Sequence, residues 1–315
     1  MSQSTNTENQ QLQRMVHLLT KLAPNEGYNL SYLPEVRFLR SNRPLSVTPV
    51  LYEPGIVVVC QGRKRGFLGS QTYVYDAQHY LAVSVPVPFT METDASEKEP
   101  LLAIYFRLDF QLLADLLLQM EDTDTVEATP QGMFATAMDK KMATSVLRFL
   151  EAMDEPLDAR ILGKQLVKEI YLRVLTGEQG ASMRAALVNE GQFGKVAKAI
   201  KKIHSSYSDK LDVEQLAQEA GMSAPSFHAH FKNVTATSPM QYLKSTRLHQ
   251  ARLLMARNGL TAATACAQVG YESASQFSRE FKRLFGRSPI DEVERMKHAF
   301  ALLEDDLDSM YVSSH

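Results

Sequence analysis

The stretch SASQFSREFK at residues 273–282 has a near copy fifty positions upstream, SAPSFHAHFK at 223–232. Aligned without a gap, the two share Ser, Ala, both Phe and Lys, and Ser238-Pro239 recurs at the same offset as Ser288-Pro289. Each copy follows a short Ala-rich segment, LAQEAG or AATACAQVG, and a tight turn. A small-residue helix, a turn and a second helix with Phe at i and i+4 is the sequence form of a helix-turn-helix. Phe227 and Phe231, like Phe277 and Phe281, share one helical face and should anchor the second helix in a core. The opposite face then carries Pro225, His228, Ala229 and Lys232 in the first copy, and Ser275, Gln276, Arg279 and Lys282 in the second.

Punctuation around the repeat supports this reading. Asp212 with Gln215 three residues on forms a capping-box pattern, and Gly221 ends that helix. Ser238-Pro239, an N-cap followed by Pro at the first helical position, opens MQYLKSTRLHQARLLMARN, which Gly259 closes. This long helix joins the two units. At ~1.5 Å per residue it spans ~30 Å, close to the ~34 Å of one DNA turn. Thr261 and Ser273 are further caps.

Charge agrees with a polyanion partner for this part alone. The chain's net charge of −2 conceals 16 Lys and Arg against 9 Asp and Glu in residues 191–300, a net of +7. Residues 1–190 carry −5, and 301–315 carry −4. A helix of this kind fits the ~12 Å wide major groove. There Arg279 could donate two hydrogen bonds to guanine, and His228 is the first copy's best reader. Gln276 could read adenine or close a capping box on Ser273. Pro225, Ser226, Ala229 and Ser275 complete the base-reading set. Lys232, Lys244, Arg247, Lys282, Arg283 and Arg287 are expected at phosphates, which add affinity without sequence choice.

Upstream the texture differs. Residues 1–10 are polar and read as a disordered arm, and 11–23 as an amphipathic helix stopped by Pro24. From Ser31 to Phe106, short β-rich runs such as GIVVVCQ, TYVYDA and LLAIYFRL alternate with turns, the pattern of an antiparallel barrel or sandwich. The Arg63-Lys64-Arg65 cluster reads as a solvated hairpin tip. Helices follow at QLLADLLLQ, at 134–153, and from an Asp158 N-cap to Gly177. In the last of these Leu162, Leu166, Ile170 and Val174 form a stripe for the core or for a second subunit. Residues 178–191 read as a linker between domains 11–177 and 192–300, with 301–315 an acidic tail. The fold class expected is therefore α+β, a β-barrel with flanking helices followed by an all-α double helix-turn-helix.

Residues 192–296 resemble the DNA-binding domain of the AraC/XylS family of bacterial transcription regulators, through LAQEAGMS, FHAHFK, SPMQYLKSTRLHQARLLM and VGYESASQFSREFKRLFGRSP. The N-terminal half is similar, less specifically, to that family's cupin-like effector and dimerisation domain, through YEPGIVVVCQGRKRGFLG, YDAQHYLAVSVPVPF and LLAIYFRLD. The resemblance implies a cytoplasmic, nucleoid-associated dimer, an activator in preference to a repressor, with double-stranded DNA and RNA polymerase as partners. Pro225 and Ala229 depart from the larger side chains often found there, which puts base reading by the first copy in doubt.

Cupin barrels also serve as enzymes with histidine-bound metals. Residues 24–190 hold only His79, so a three-histidine site is impossible, and neither metal nor cofactor is expected. A cupin ligand-binding protein or enzyme with a helical interaction domain is the alternative of another class. Tyr73, Tyr75 and Tyr105 are effector candidates, with filling the core the preferred reading, and Cys60 is either an inert thiol or a sensor of oxidants and aldehydes. No apolar run reaches the ~20 residues of a membrane helix, and MSQSTNTENQQLQRM is no signal peptide.

Overall fold

The computed structural model describes the backbone of residues 2–120, 128–188 and 191–299, and the side chains from residue 9 to residue 296 within those stretches. Helix α1 (Ser2–Leu22) precedes nine strands: β1 (Gly27–Leu30), β2 (Val36–Ser41), β3 (Leu45–Tyr52), β4 (Gly55–Gln61), β5 (Arg63–Leu68), β6 (Gln71–Asp76), β7 (His79–Val83), β8 (Val87–Asp94) and β9 (Leu101–Arg107). Then come α2 (Phe110–Gln119), a tenth strand β10 (Met133–Ala137), α3 (Lys140–Asp154), α4 (Pro156–Thr176) and α5 (Gly180–Leu187). Two antiparallel sheets result, ordered β1-β2-β9-β4-β7-β10 and β3-β8-β5-β6.

The six-stranded sheet is buried on both faces, which explains why its central strands read as unbroken apolar runs. Val57 and Val59 of β4, with Ala103 and Tyr105 of β9, face the four-stranded sheet. Their neighbours Ile56, Val58, Cys60, Ile104 and Phe106 face the other way, into a core closed by α1, α3 and α4. There Met15, Leu19, Phe149, Val167 and Ile170 complete the packing.

Several expectations are corrected. The supposed arm at 1–10 belongs to α1 from Ser2 onward, because its Gln- and Glu-containing run offers no helix breaker. The interval 134–153 divides into β10 and α3, Asp139 capping the helix by accepting from Met142 N. Helix α4 begins at Pro156, so Asp158 lies in its first turn and caps nothing. The supposed linker contains α5, whose Met183 and Ala186 are buried. The Arg63-Lys64-Arg65 cluster is no tip. It opens β5, where the period of two sends Lys64 inward, completely buried, and leaves Arg63 exposed. The tail 301–315 lies outside the described residues.

The remainder is helical: α6 (Gly191–Ser206), α7 (Val213–Glu219), α8 (Ala224–Thr235), α9 (Pro239–Asn258), α10 (Ala262–Gln268), α11 (Ala274–Phe285) and α12 (Pro289–Ala299). The capping box of α7 is present, Asp212 Oδ1 accepting from Gln215 N at 2.8 Å and Gln215 Oε1 accepting from Asp212 N at 3.3 Å. Ser238, Thr261 and Ser273 each accept from the backbone three residues on. The repeat extends to the helix ends: α11 closes on Gly286 at φ 75° and α8 on Ala236 at φ 55°, the one non-glycine in left-handed backbone among the described residues.

The barrel and the first helix-turn-helix share one core. Val85, Val87 and Phe89 are continuous with Ile203, Phe227, Phe231 and Tyr242. The Tyr242 hydroxyl donates to Pro86 O at 2.8 Å, and His204 Nε2 lies 2.8 Å from the Tyr242 hydroxyl oxygen. Since that hydroxyl has one proton, His204 Nε2 carries the hydrogen of their bond. Gly132 sits so close to α8 that a Cβ there would stand 2.8 Å from Val234 O. The second unit has a separate core of Leu248, Ala251, Met255, Phe277, Phe281 and Phe285.

Candidate nucleic-acid interface

Helices α8 and α11 turn their paired phenylalanines inward as the spacing requires, with Phe227, Phe231, Phe277 and Phe281 at 0–1% exposure. The opposite faces are open. Pro225, His228, Ala229 and Lys232 are exposed on α8, with Ser226 half-buried, and Ser275, Gln276, Arg279, Lys282 and Arg283 are exposed on α11. Arg287, just past α11, is half exposed, with Nη1 3.9 Å from Glu292 Oε2.

Three polar residues of this surface are held from within. Glu280, on the edge of α11 between core and open face, accepts from Tyr271 Oη at 2.7 Å, from Lys244 Nζ at 3.0 Å and from Gln276 Nε2 at 3.2 Å. Burial pushes the Glu280 carboxyl up, but bonds from Tyr271, Lys244 and Gln276 outweigh it and hold the group below the usual carboxylate range. The Gln276 side chain therefore reaches forward to Glu280, one turn on; only its backbone N–H meets the Ser273 cap. Arg247 serves the fold, since its Nε, Nη1 and Nη2 donate to the carbonyls of Tyr207, Gly270 and Asp209 at 2.7, 3.1 and 2.8 Å. That guanidinium clamps the turn before α11 to α9 and to the end of α6.

Behind α11 lies a buried ionic cluster that the sequence does not announce. Arg252, fully buried on α9, reaches Glu292 Oε1 on α12 at 3.4 Å, while Arg295 grips the same carboxylate at 2.7 and 2.9 Å. Arg252 also lies over the Phe285 ring, 4.5 Å from its centroid, and burial lowers its pKa to about 10. Three helices are joined at this point. The i, i+3 spacing of Glu292 and Arg295 and the i, i+4 spacing of Gln276 and Glu280 were visible signals; the burial of Arg252 was not.

The candidate effector residues do not converge. Tyr75 and Tyr105 are buried between the sheets, while Tyr73 is half-buried and its hydroxyl meets Gln71 at the strand end. Beside Tyr75, and unforeseen, Lys64 Nζ lies 3.3 Å from Tyr52 Oη and 3.6 Å from Met91 Sδ, and burial lowers its pKa well below the ordinary lysine value. Cys60 lies apart, under a cleft of about 760 Å³ rimmed by Arg63, Asp76, Asp94 and Glu99. Burial pushes its thiol up to about 12, leaving little thiolate at neutral pH. On α4, Leu166, Ile170 and Val174 are buried in the chain's own core; Leu162 remains exposed, as do Leu157 and Ile161. No group of three or more metal-binding side chains occurs among the described residues. No helix there is long and apolar enough to cross a membrane.

A paired helix-turn-helix behind a two-sheet barrel defines a DNA-binding regulator, and known proteins agree. Residues 32–182 match the model of the AraC-type transcriptional regulator N-terminus, and residues 216–306 that of a helix-turn-helix domain. The chain belongs to the AraC family of DNA-binding transcription regulators, which are not enzymes. The virulence regulon transcriptional activator VirF of Yersinia enterocolitica is 21% identical over 241 residues, 75% of this chain and 88% of its own. The RCS-specific HTH-type transcriptional activator RclR of Escherichia coli is 38% identical over 85 residues, 27% of this chain and 30% of that one. Among solved structures, ToxT of Vibrio cholerae with an unsaturated fatty acid bound covers 85% of this chain and 97% of its own, with a TM-score of 0.55 at 11% identity, a likeness of fold.

Proposed function

We propose that this regulator activates transcription as a cytoplasmic, nucleoid-associated dimer, docking α8 and α11 in successive major-groove segments and answering a small acidic effector in its barrel. The observation that carries the docking is the pair of open helix faces, Pro225–Lys232 and Ser275–Arg283, fixed to one 20-residue helix. In this reading Arg279 and Gln276 read bases with His228 and the short side chains of Pro225, Ser226, Ala229 and Ser275. Lys232, Lys282, Arg283 and Arg287 meet phosphates. Lys244 and Arg247 support the surface through the bonds described above.

The activator role is supported by the names of the relatives. Run-off transcription with RNA polymerase on a promoter carrying the site tests it: more transcript is expected, and less marks a repressor. For dimerisation the support is the exposed row Leu157, Ile161 and Leu162. Sedimentation of Ile161→Lys should show monomer where the unaltered chain shows dimer.

An effector of the barrel is supported by Lys64, Tyr52 and Tyr75 among otherwise apolar side chains, and by the buried Thr93 hydroxyl, which has no hydrogen-bond partner among the described residues. ToxT, of similar fold, holds a carboxylic acid. Thermal shifts with medium-chain carboxylic acids should exceed those with the matching amides, and Lys64→Met should abolish the difference.

A further inference from the structure

Glu280 stands at a position where the two copies of the repeat differ in character, since its counterpart in the first copy is His230. The counterpart of Gln276 is Ser226, too short to span one helical turn, so the contact belongs to α11 alone. A carboxylate can only accept hydrogen bonds, whereas a glutamine amide has one end that donates and one that accepts. With Glu280 Oε1 3.2 Å from Gln276, the amide must turn its Nε2 toward the carboxylate and its Oε1 away. The carboxylate is itself fixed by Tyr271 at 2.7 Å and Lys244 at 3.0 Å, anchored in the turn before α11 and on α9. A free glutamine rotates its amide and serves donors and acceptors alike; this one is set.

We propose that Glu280 is a positioning residue for base choice: by holding the Gln276 amide it presents Oε1 to the groove and selects a base that donates there. Adenine N6 and cytosine N4 are such donors, whereas guanine offers only acceptors at N7 and O6. The inference rests on α11 entering the major groove. It assigns Lys244 and Tyr271 to the support of a reader.

The test uses the full chain. Selection from a randomised duplex pool gives a binding site, and fluorescence anisotropy then measures affinity for every base pair at every position. Gln276→Ala should flatten one position and so identify it. There the unaltered protein should favour adenine or cytosine over guanine by about tenfold or more. Glu280→Gln, which can donate as well as accept, should bring that preference to within about threefold while leaving preferences at other positions unchanged. Those positions also report that the variant is folded, and Glu280→Ala provides a second variant with the same expectation. An unchanged profile in both Glu280 variants, or a guanine preference in the unaltered protein, overturns the proposal alone. If Gln276→Ala flattens no position, the docking of α11 falls with it.

Discussion

Arg279 and Lys282 lie three residues apart on α11, both exposed, yet the chemistry of their ends assigns them different work. A guanidinium presents a planar fork matched to a base edge, and an ammonium is a point charge suited to phosphate. Arg279→Ala should cost ~1–3 kcal/mol in specific binding and relax choice at one base pair. Lys282→Ala should weaken binding to all sequences alike and reduce the salt slope by about one unit. Titration against specific and scrambled duplexes at several salt concentrations separates the two. At the domain junction the side chain that matters is His204, whose pKa burial lowers to about 4. Unfolded, it titrates near its ordinary value of ~6.5, so between these values the unfolded chain binds the proton and the folded one does not. The stability His204 contributes is thus complete above pH 6.5 and lost as pH falls toward 4, by roughly 2–3 kcal/mol. Urea denaturation across this range should show the loss, and His204→Gln should reduce it. A remainder from His249, also lowered by burial and by neighbouring Arg252, should persist.

At the scale of elements, the second helix-turn-helix depends on the carboxylate of Glu292. Removing it leaves Arg252 buried without the ion that faces it at 3.4 Å, a change that costs about 3–5 kcal/mol. Glu292→Ala should accordingly lower the urea midpoint sharply and loosen α12 and α11 together, as amide exchange would record. Helices α7, α9, α10 and α11 were legible because each opens on a cap, Asp212, Ser238, Thr261 or Ser273, and Gly259 stops α9. The faces of α8 and α11 were legible from two pairs of phenylalanines. Where a tertiary partner decides, the sequence was silent. Lys64 carries no local sign of its inward course, which follows from β5 pairing with both β6 and β8. The run from residue 134 reads as helical, yet Met133–Ala137 becomes a strand because β7 offers an edge for it. Gln276 was legible as polar and exposed. The orientation of its amide depends on Glu280, Lys244 and Tyr271, which only the fold assembles.

In the whole molecule, the barrel and the first helix-turn-helix meet through a continuous apolar core, sealed by the Tyr242 bond to Pro86. At Gly132 the two approach closely, with Val234 O of α8 2.8 Å from a Cβ at that position and the barrel's own Val85 Cγ2 at 3.2 Å. Gly132→Ala should therefore push α8 off the barrel, at a cost typical of overpacking, ~1–3 kcal/mol. Faster amide exchange in α8, with α11 unaffected, is the expected record.

That shared core also decides where the chain can be divided. The obvious place for a graft is near residue 190, where a foreign DNA-binding half would be spliced onto this barrel. Such a chimaera would set the barrel's Val85, Val87 and Phe89 against side chains never fitted to them, and Pro86 O would lose its tyrosine. The natural unit of exchange is instead the portion from Lys244 onward, which includes most of α9 and whose core of Leu248, Met255, Phe277 and Phe281 is its own. Swapping residues 244–299 for a relative's should transfer that relative's half-site preference and keep this protein's response to its effector. Swapping from residue 191 onward should give a chain that binds DNA but no longer hears its barrel.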